Sequence, residues 1–239
     1  MKLDNGRPIQ RIVILTGAGV SAESGLATFR DSDGLWEKHD PMDIATPEAF
    51  TRDPDLVYRF YNARRNQLRE VHPNTAHRAL AKLQRHFPGE VFLVTQNVDD
   101  LHERGGSEQV CHMHGELNSR LCQACTKAMP ASNDYDGRSV CPQCGVRGKL
   151  RPDIVWFGEI PYHMETIGAR LRACDLFIAV GTSGVVYPAA GFVQEALGSG
   201  ATTIEVNRDI SEVTGYFHQQ RKGAATVEVA ALVKNLLAG

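Results

Sequence analysis

Arg11-Ile-Val-Ile-Leu-Thr-Gly-Ala-Gly-Val-Ser-Ala-Glu-Ser-Gly25 sets an apolar run directly against a glycine-rich turn. The unbroken block from Ile12 to Leu15 has the pattern of a strand buried on both faces. Gly17, Gly19 and Ala22 then fit G-x-G-x-x-G/A at a strand-to-helix turn. Glycine is needed there because a Cβ would block the turn and hold a phosphate away from the backbone N–H groups. A helix opening behind the turn would add a dipole favourable to a pyrophosphate.

Working outward, Val91–Val94 and Leu176–Val180 are further apolar runs that read as buried strands, and Ala201–Val206 reads as another strand. Pro47 to Val71 has helical spacing, with Leu56, Phe60, Ala63 and Leu68 on the apolar stripe and Arg59, Arg65 and Arg69 off it. Asn74 can cap a helix carrying Ala76, Leu80, Leu83 and Phe87, which Pro88-Gly89 ends. Pro161–Ala173 and Pro188–Leu197 also read as helices. Thr226–Val229 and a final helix to Leu237 close the chain. Strands alternating with helices predict an α/β fold, a doubly wound Rossmann-like parallel sheet. One feature of a dehydrogenase is missing. After the glycine turn comes TFRDSDGLWEKHDPMDIATP (28–47), polar and loop-like, where a second strand and a ribose-binding acid are expected.

Composition narrows the class. The chain has 239 residues, 42% hydrophobic and 23% charged, with a formal net charge of −2. That suits a globular protein and leaves no basic excess for nucleic acid or an acidic membrane surface. The start, MKLDNGRPIQ, lacks the apolar core of a signal peptide, and no apolar run is long enough to span a bilayer. A cytoplasmic location with reduced cysteines is expected. Four of the six cysteines then form Cys122-x-x-Cys125 and Cys141-x-x-Cys144, fifteen residues apart, a four-thiolate zinc pattern. Four sulfurs close the coordination shell, so the metal reads as structural. Cys111 and Cys174 lie in apolar surroundings and read as inert.

Behind the strand at Val91–Val94 lies TQNVDDLHERGGSEQVCHMHG (95–115), which packs amides, adjacent carboxylates and three histidines into one stretch. It belongs at the carboxyl end of a strand, where open α/β sheets place ligands. His102 and His112 read as hydrogen-bonded structural groups, whereas Val110–His114, read as a short strand or extended edge, aims His114 into the cleft. Gly17–Ala22, Gln96–Asp99, Gly181–Ser183 and Asn207–Asp209 make four converging loops.

With GAGVSAESGLATFRD, TQNVDDLH, HMHGEL, the four cysteines, VWFGE and GTSGVVYPAAGF in order, the chain resembles the sirtuins, NAD-dependent protein-lysine deacylases. The likeness runs from Ile12 to about Ala225. It implies that Gly17, Ala18, Gly19, Ala22 and the loop of Thr28, Phe29, Arg30 and Trp36 hold the NAD phosphates and cover the nicotinamide ribose. Gln96, Asn97, Val98 and Asp99 would line the nicotinamide site. Gly181, Thr182, Ser183, Asn207, Arg208, Asp209 and Ala225 would bind the adenosine half. His114 would be the general base, taking a proton from a ribose hydroxyl. The apolar wall of Val155, Trp156 and Phe157 would enclose the acyl-lysine, while Gly158-Glu159 and Gly184-Val185 would pair with the substrate backbone as a strand. The expected division is a Rossmann-like NAD domain (1–33, 76–118 and 155–239), with a helical insertion (34–75) and a zinc module (119–154) forming a smaller domain.

Tyr61 and Arg64 stand three apart, on one side of a helix. A phenol beside a guanidinium can bind a carboxylate. Within the sirtuins this pair, with the small Ala45, resembles the subgroup that removes succinyl, malonyl and glutaryl groups. Arg65 is expected to point elsewhere, into solvent. Acylated protein lysines are the expected partners, and the chain is expected to be a monomer without nucleic-acid or membrane contacts. An ADP-ribosyltransferase or NAD hydrolase on the same scaffold, and a zinc-ribbon module or NAD sensor, are the competing readings. The intact QNVD and HMHG cluster disfavours the sensor, which needs no base.

Overall fold

The computed structural model describes residues 8–26 and 40–238. Strand β1 (Arg11–Thr16) lies at the centre of a six-stranded parallel sheet with β2 (Glu90–Thr95), β3 (Val110–His112), β7 (Leu176–Val180), β8 (Thr202–Asn207) and β9 (Gln219–Lys222). The order is β3-β2-β1-β7-β8-β9. Successive side chains of β1 serve opposite faces, as strand geometry requires. Ile12 and Ile14 join one core cluster with helices α4 (Thr75–His86) and α8 (Ala225–Leu237). Val13 and Leu15 join the other, with α6 (Met164–Ala173) and α7 (Phe192–Gly198). Each fully buried aliphatic side chain contributes about 1.5–3 kcal/mol, so the apolar run of β1 holds both helical layers to the sheet.

A second, antiparallel sheet of three strands is ordered β5-β4-β6: β4 (Gly115–Cys122), β5 (Ala128–Pro130) and β6 (Leu150–Ile154). Gly115 opens β4 at φ +80°, and a Cβ there would sit 2.0 Å from the Asp153 carbonyl oxygen, so only glycine lets the chain pass between the sheets. Helices α1 (Pro41–Ile44), α2 (Pro47–Arg52) and α3 (Pro54–Glu70) pack near this second sheet and share apolar clusters with it.

Several expectations are corrected. The expected helix behind the first turn is replaced by two 3-10 segments, Ala18–Val20 and Ala22–Ser24. The loop-like stretch holds a short helix from Pro41, capped by the Asp40 carboxylate. The helix expected over 47–71 is two helices, because Asp53 ends α2 and its side chain caps α3. Thr226–Val229 belongs to α8, and the last strand is the polar Gln219–Lys222 at the sheet edge. Helices expected from Pro161 and Pro188 begin at Met164 and Phe192, the latter after a 3-10 turn.

The largest correction concerns α3. Ala63 is exposed, and Arg65, expected in solvent, is buried at 1% exposure. Tyr58, Asn62, Arg65 and Arg69 recur at helical spacing on one face. Tyr58 donates its hydroxyl to the Leu150 carbonyl, and Asn62 Nδ2 donates to the Tyr135 carbonyl at 3.0 Å. Arg65 lies over the Tyr135 ring at 4.6 Å and donates to Asn62 Oδ1, while Arg69 Nη2 donates to the Ser132 carbonyl at 2.6 Å. This polar face fastens α3 to the cysteine-bearing segment, and a guanidinium stacked on an aromatic ring can do so without a carboxylate partner.

Candidate functional site

The carboxyl ends of the parallel strands are stitched together by backbone bonds. Gly17 N–H donates to the Val180 carbonyl at 3.0 Å, Gly19 N–H to Gly181 at 2.9 Å, and Gln96 N–H to Thr16 at 2.9 Å. A Cβ on Gly19 would stand 2.7 Å from the Gly181 Cα, so the two turns cross only because both positions are glycine. The cradle expected at Gly17, Ala18, Gly19 and Ala22 therefore meets Gly181–Ser183 directly. Asn207 reaches the same point, donating from Nδ2 to the Thr182 carbonyl at 2.7 Å. Arg208 and Asp209 are exposed beside it, and Ala225 is buried at the start of α8. Thr28, Phe29, Arg30 and Trp36 lie outside the described residues.

The QNVD stretch folds inward. Asn97 and Asp99 are buried, and Ser21 ties them together. Ser21 Oγ donates to Asp99 Oδ2 at 3.0 Å and accepts from Asn97 Nδ2 at 3.1 Å. Burial raises the Asp99 pKa above the usual carboxylate value, opposed by hydrogen bonds from the Leu101 N–H and Ser21. The Val98 carbonyl accepts from Leu117 N–H at 2.8 Å, which fixes this loop to β4.

The three histidines have different surroundings. His102, on the short helix α5 (Leu101–Arg104), has Nε2 2.9 Å from Thr16 Oγ1, and His112 bridges the Asn97 carbonyl and Glu103 at 3.2 and 2.8 Å. Burial alone would lower the His112 pKa, but Glu103 outweighs it and raises the value. His114 follows the end of β3 in a turn, half-buried, with Nδ1 3.1 Å from the Gln96 carbonyl. A carbonyl only accepts, so Nδ1 carries the proton and the Nε2 lone pair is left to take another. Burial lowers the His114 pKa below the ordinary imidazole value, against the Gln96 contact.

On the other wall, Val155 N–H donates to the His114 carbonyl and Phe157 N–H to the Ala45 carbonyl, both at 2.9 Å. Phe157 and Val185 are exposed, whereas Trp156 is buried against α3. The Glu159 carboxylate is taken by Arg151 at 2.6 and 2.9 Å and by Trp156 N–H at 2.8 Å, and its own N–H donates to the Trp156 carbonyl at 3.0 Å. Gly158 and Gly184 both have positive φ and sit in loops next to Phe157 and Val185. Tyr61 is buried and accepts from Trp156 Nε1 at 3.0 Å. Arg64 is half-buried beside it, its pKa lowered by burial and raised in part by Tyr61 and Asp99.

The four cysteine sulfurs lie within 4.8 Å of one another. Cys122–Cys144 and Cys125–Cys141 separations are 3.8 and 3.9 Å. Zinc–sulfur bonds of about 2.3 Å in a tetrahedron put sulfurs about 3.8 Å apart, so the donor set fits one zinc with no position left for water. Burial pushes the Cys111 and Cys174 thiols up to about 11, in keeping with inert residues.

Two buried residues of the cluster escaped the sequence reading: Ser21 and His77. The histidine is N3 of the capping box of α4, its Nδ1 accepting from Asn74 N–H at 3.2 Å, with Nε2 3.3 Å from Ser21 Oγ. Its place in the buried stripe of α4, beside Ala76 and Leu80, was the available signal. Burial, then Arg78, pushes its pKa down to about 4. A folded-state value below the unfolded one means stability fully present above about pH 6.5 and lost as pH falls toward 4, by about 3 kcal/mol. His77→Gln is expected to flatten the fall in urea midpoint between pH 7 and 4.5; an unchanged slope would place the acid sensitivity elsewhere.

Comparison with known proteins agrees with this architecture. The chain belongs to the Sir2 family, whose profile matches residues 17–188. It is 51% identical over 233 residues to the NAD-dependent protein deacylase of Vibrio vulnificus strain YJ016, covering 97% of this chain and 95% of that one. The protein of the same description from Escherichia coli O6:H1 is 51% identical over 231 residues, covering 96% and 85%. A solved Sir2 homolog–NAD complex superposes with a TM-score of 0.87 at 38% identity, covering 95% and 90%. No helix among the described residues is long and apolar enough to cross a membrane.

Proposed function

We propose that the chain is a cytoplasmic NAD-dependent protein-lysine deacylase that removes acetyl groups and acidic acyl groups such as succinyl and malonyl. The observation that carries this is His114, held as the Nδ1–H tautomer by the Gln96 carbonyl with Nε2 left to accept a proton. NAD, when bound, supplies a cleavable glycosidic bond to nicotinamide and an ADP-ribose that accepts the acyl group, giving O-acyl-ADP-ribose. The crossing glycines at 17, 19 and 181 and the Asn207 side chain suit its phosphates and adenosine. Asp99, Asn97 and Ser21 form a buried polar corner suited to a carboxamide. Residues 34–75, of which 34–39 lie outside the described residues, and 119–154 are inferred to form the smaller unit, with acylated protein lysines entering between it and the parallel sheet.

The acidic-acyl part of the reading rests on Tyr61 and Arg64, one face of α3. Among the described residues no carboxylate is bonded to Arg64, which leaves its fork available to a ligand. Arg64→Met is expected to lower desuccinylation about ten- to hundredfold, the range of a hydrogen bond to a charged group, with much less effect on deacetylation. The assay is NAD-dependent nicotinamide release from matched acetyl- and succinyl-lysine peptides, with mass spectrometry of the products. Equal losses would argue for a folding effect. Free ADP-ribose without acyl transfer would favour the ADP-ribosyltransferase or NAD-hydrolase reading.

A further inference from the structure

The hydrogen bond between Trp156 and Tyr61 has a fixed direction. An indole N–H can only donate, so Trp156 Nε1, 3.0 Å from Tyr61 Oη, uses one of the phenol's lone pairs. Burial raises the Tyr61 pKa to about 12, so the phenol keeps its proton, and among the described residues nothing accepts it. Tyr61 is thereby left as a donor. Arg64, one turn on, is a donor with no acceptor capacity. The pair lacks an acceptor, and a carboxylate supplies acceptor oxygens to both.

Trp156 is itself held in place. The Arg151 guanidinium stacks over the indole at 3.6 Å and forks onto Glu159 at 2.6 and 2.9 Å. Glu159 also accepts from the Trp156 backbone N–H. Arg151 donates further to the Ile154 and Pro152 carbonyls, which joins this clamp to β6. Trp156 and Arg151 are 3% and 8% exposed, so solvent has little part in orienting them.

We propose that Trp156, clamped by Arg151 and Glu159, is a positioning residue that fixes Tyr61 as a hydrogen-bond donor and so sets the preference for acyl groups ending in a carboxylate. The inference rests on the acidic-acyl reading of Tyr61 and Arg64. Without the indole N–H, the phenol hydroxyl can turn and its alignment toward an acyl carboxylate is lost.

Trp156→Phe removes the N–H and keeps an aromatic ring under Arg151. The expected result is an approximately tenfold fall in the succinyl-to-acetyl ratio of kcat/KM, equivalent to about 1.4 kcal/mol, carried by KM for the succinyl peptide. In a Tyr61→Phe background the same substitution leaves that ratio unchanged, since no hydroxyl remains to orient. A melting curve on each variant separates folding from selectivity, and Glu159→Gln, which weakens the clamp without touching the indole, lowers the ratio in the same direction. An unchanged ratio in Trp156→Phe, or an equal fall with Tyr61 present and absent, overturns the proposal. Wild-type protein that turns over acetyl but not succinyl peptide overturns the acidic-acyl reading itself, and the proposal with it.

Discussion

His114→Ala is expected to cut acyl-lysine turnover by about 10²–10⁴-fold, the usual contribution of a positioned general base, while the protein stays folded. Among the described residues the imidazole makes one hydrogen bond, to the Gln96 carbonyl, and it is half-buried in a turn outside the strand. Its removal therefore leaves no buried charge and no broken ladder. The acid limb of kcat/KM in the wild-type enzyme should lie below the ordinary imidazole value of about 6.5, because burial lowers the His114 pKa. A lowered pKa keeps the base unprotonated to more acidic pH, so activity persists there and falls only beneath it. Retained nicotinamide-coupled turnover in His114→Ala would remove the residue from the chemistry.

Loss of the four-sulfur centre should have the largest effect on stability. Structural zinc binding in small modules is worth about 10–16 kcal/mol, and that energy is folding energy where the site does not preform. Cys122 and Cys141 belong to a small apolar cluster with Tyr58, Met129, Ala131, Tyr135 and Leu150. That cluster holds few side chains to keep the segment folded by itself. Cys141→Ala is expected to lower zinc content from about one per chain, the four-ligand rule, and to depress Tm by roughly 10 °C or more, the shift for a loss of a few kcal/mol in a chain of this size. Because Asn62 and Arg69 bond to Tyr135 and Ser132, the loss should also loosen α3 and its Tyr61–Arg64 pair. Metal-free protein with an unchanged melting profile would show that the sulfurs hold nothing.

The parts of the fold visible in the sequence are those where one local pattern decides. Strands β1, β2 and β7 centre on apolar runs, and Asn74 announces α4 by capping it. Strand β9, Gln-Gln-Arg-Lys, carries no such signal, because an edge strand needs only backbone pairing on one side. Arg65 departs from its expected exposure for a different reason. Charge predicts exposure until a ring distant in sequence, here Tyr135, offers its face. The site was legible where chemistry-bearing residues cluster in sequence, as in Gln96–Asp99 and His112–His114. Ser21, His77 and Arg151 were not, since each matters through a partner that only the tertiary fold supplies.

The strand order also bears on how the chain is made. β1 is made well before one of its two neighbours, β7: Ile12 pairs with Leu176, and Arg11 N–H is bonded to the Asp175 carboxylate, 164 residues later. Until β7 is synthesised, β1 keeps a bare apolar edge of the kind that pairs with other chains. Folding of the parallel sheet must wait for β7, with the slow kinetics of distant pairings. Fragments that stop short of Leu176 are therefore expected to aggregate when expressed, however intact their glycine turn and zinc cysteines.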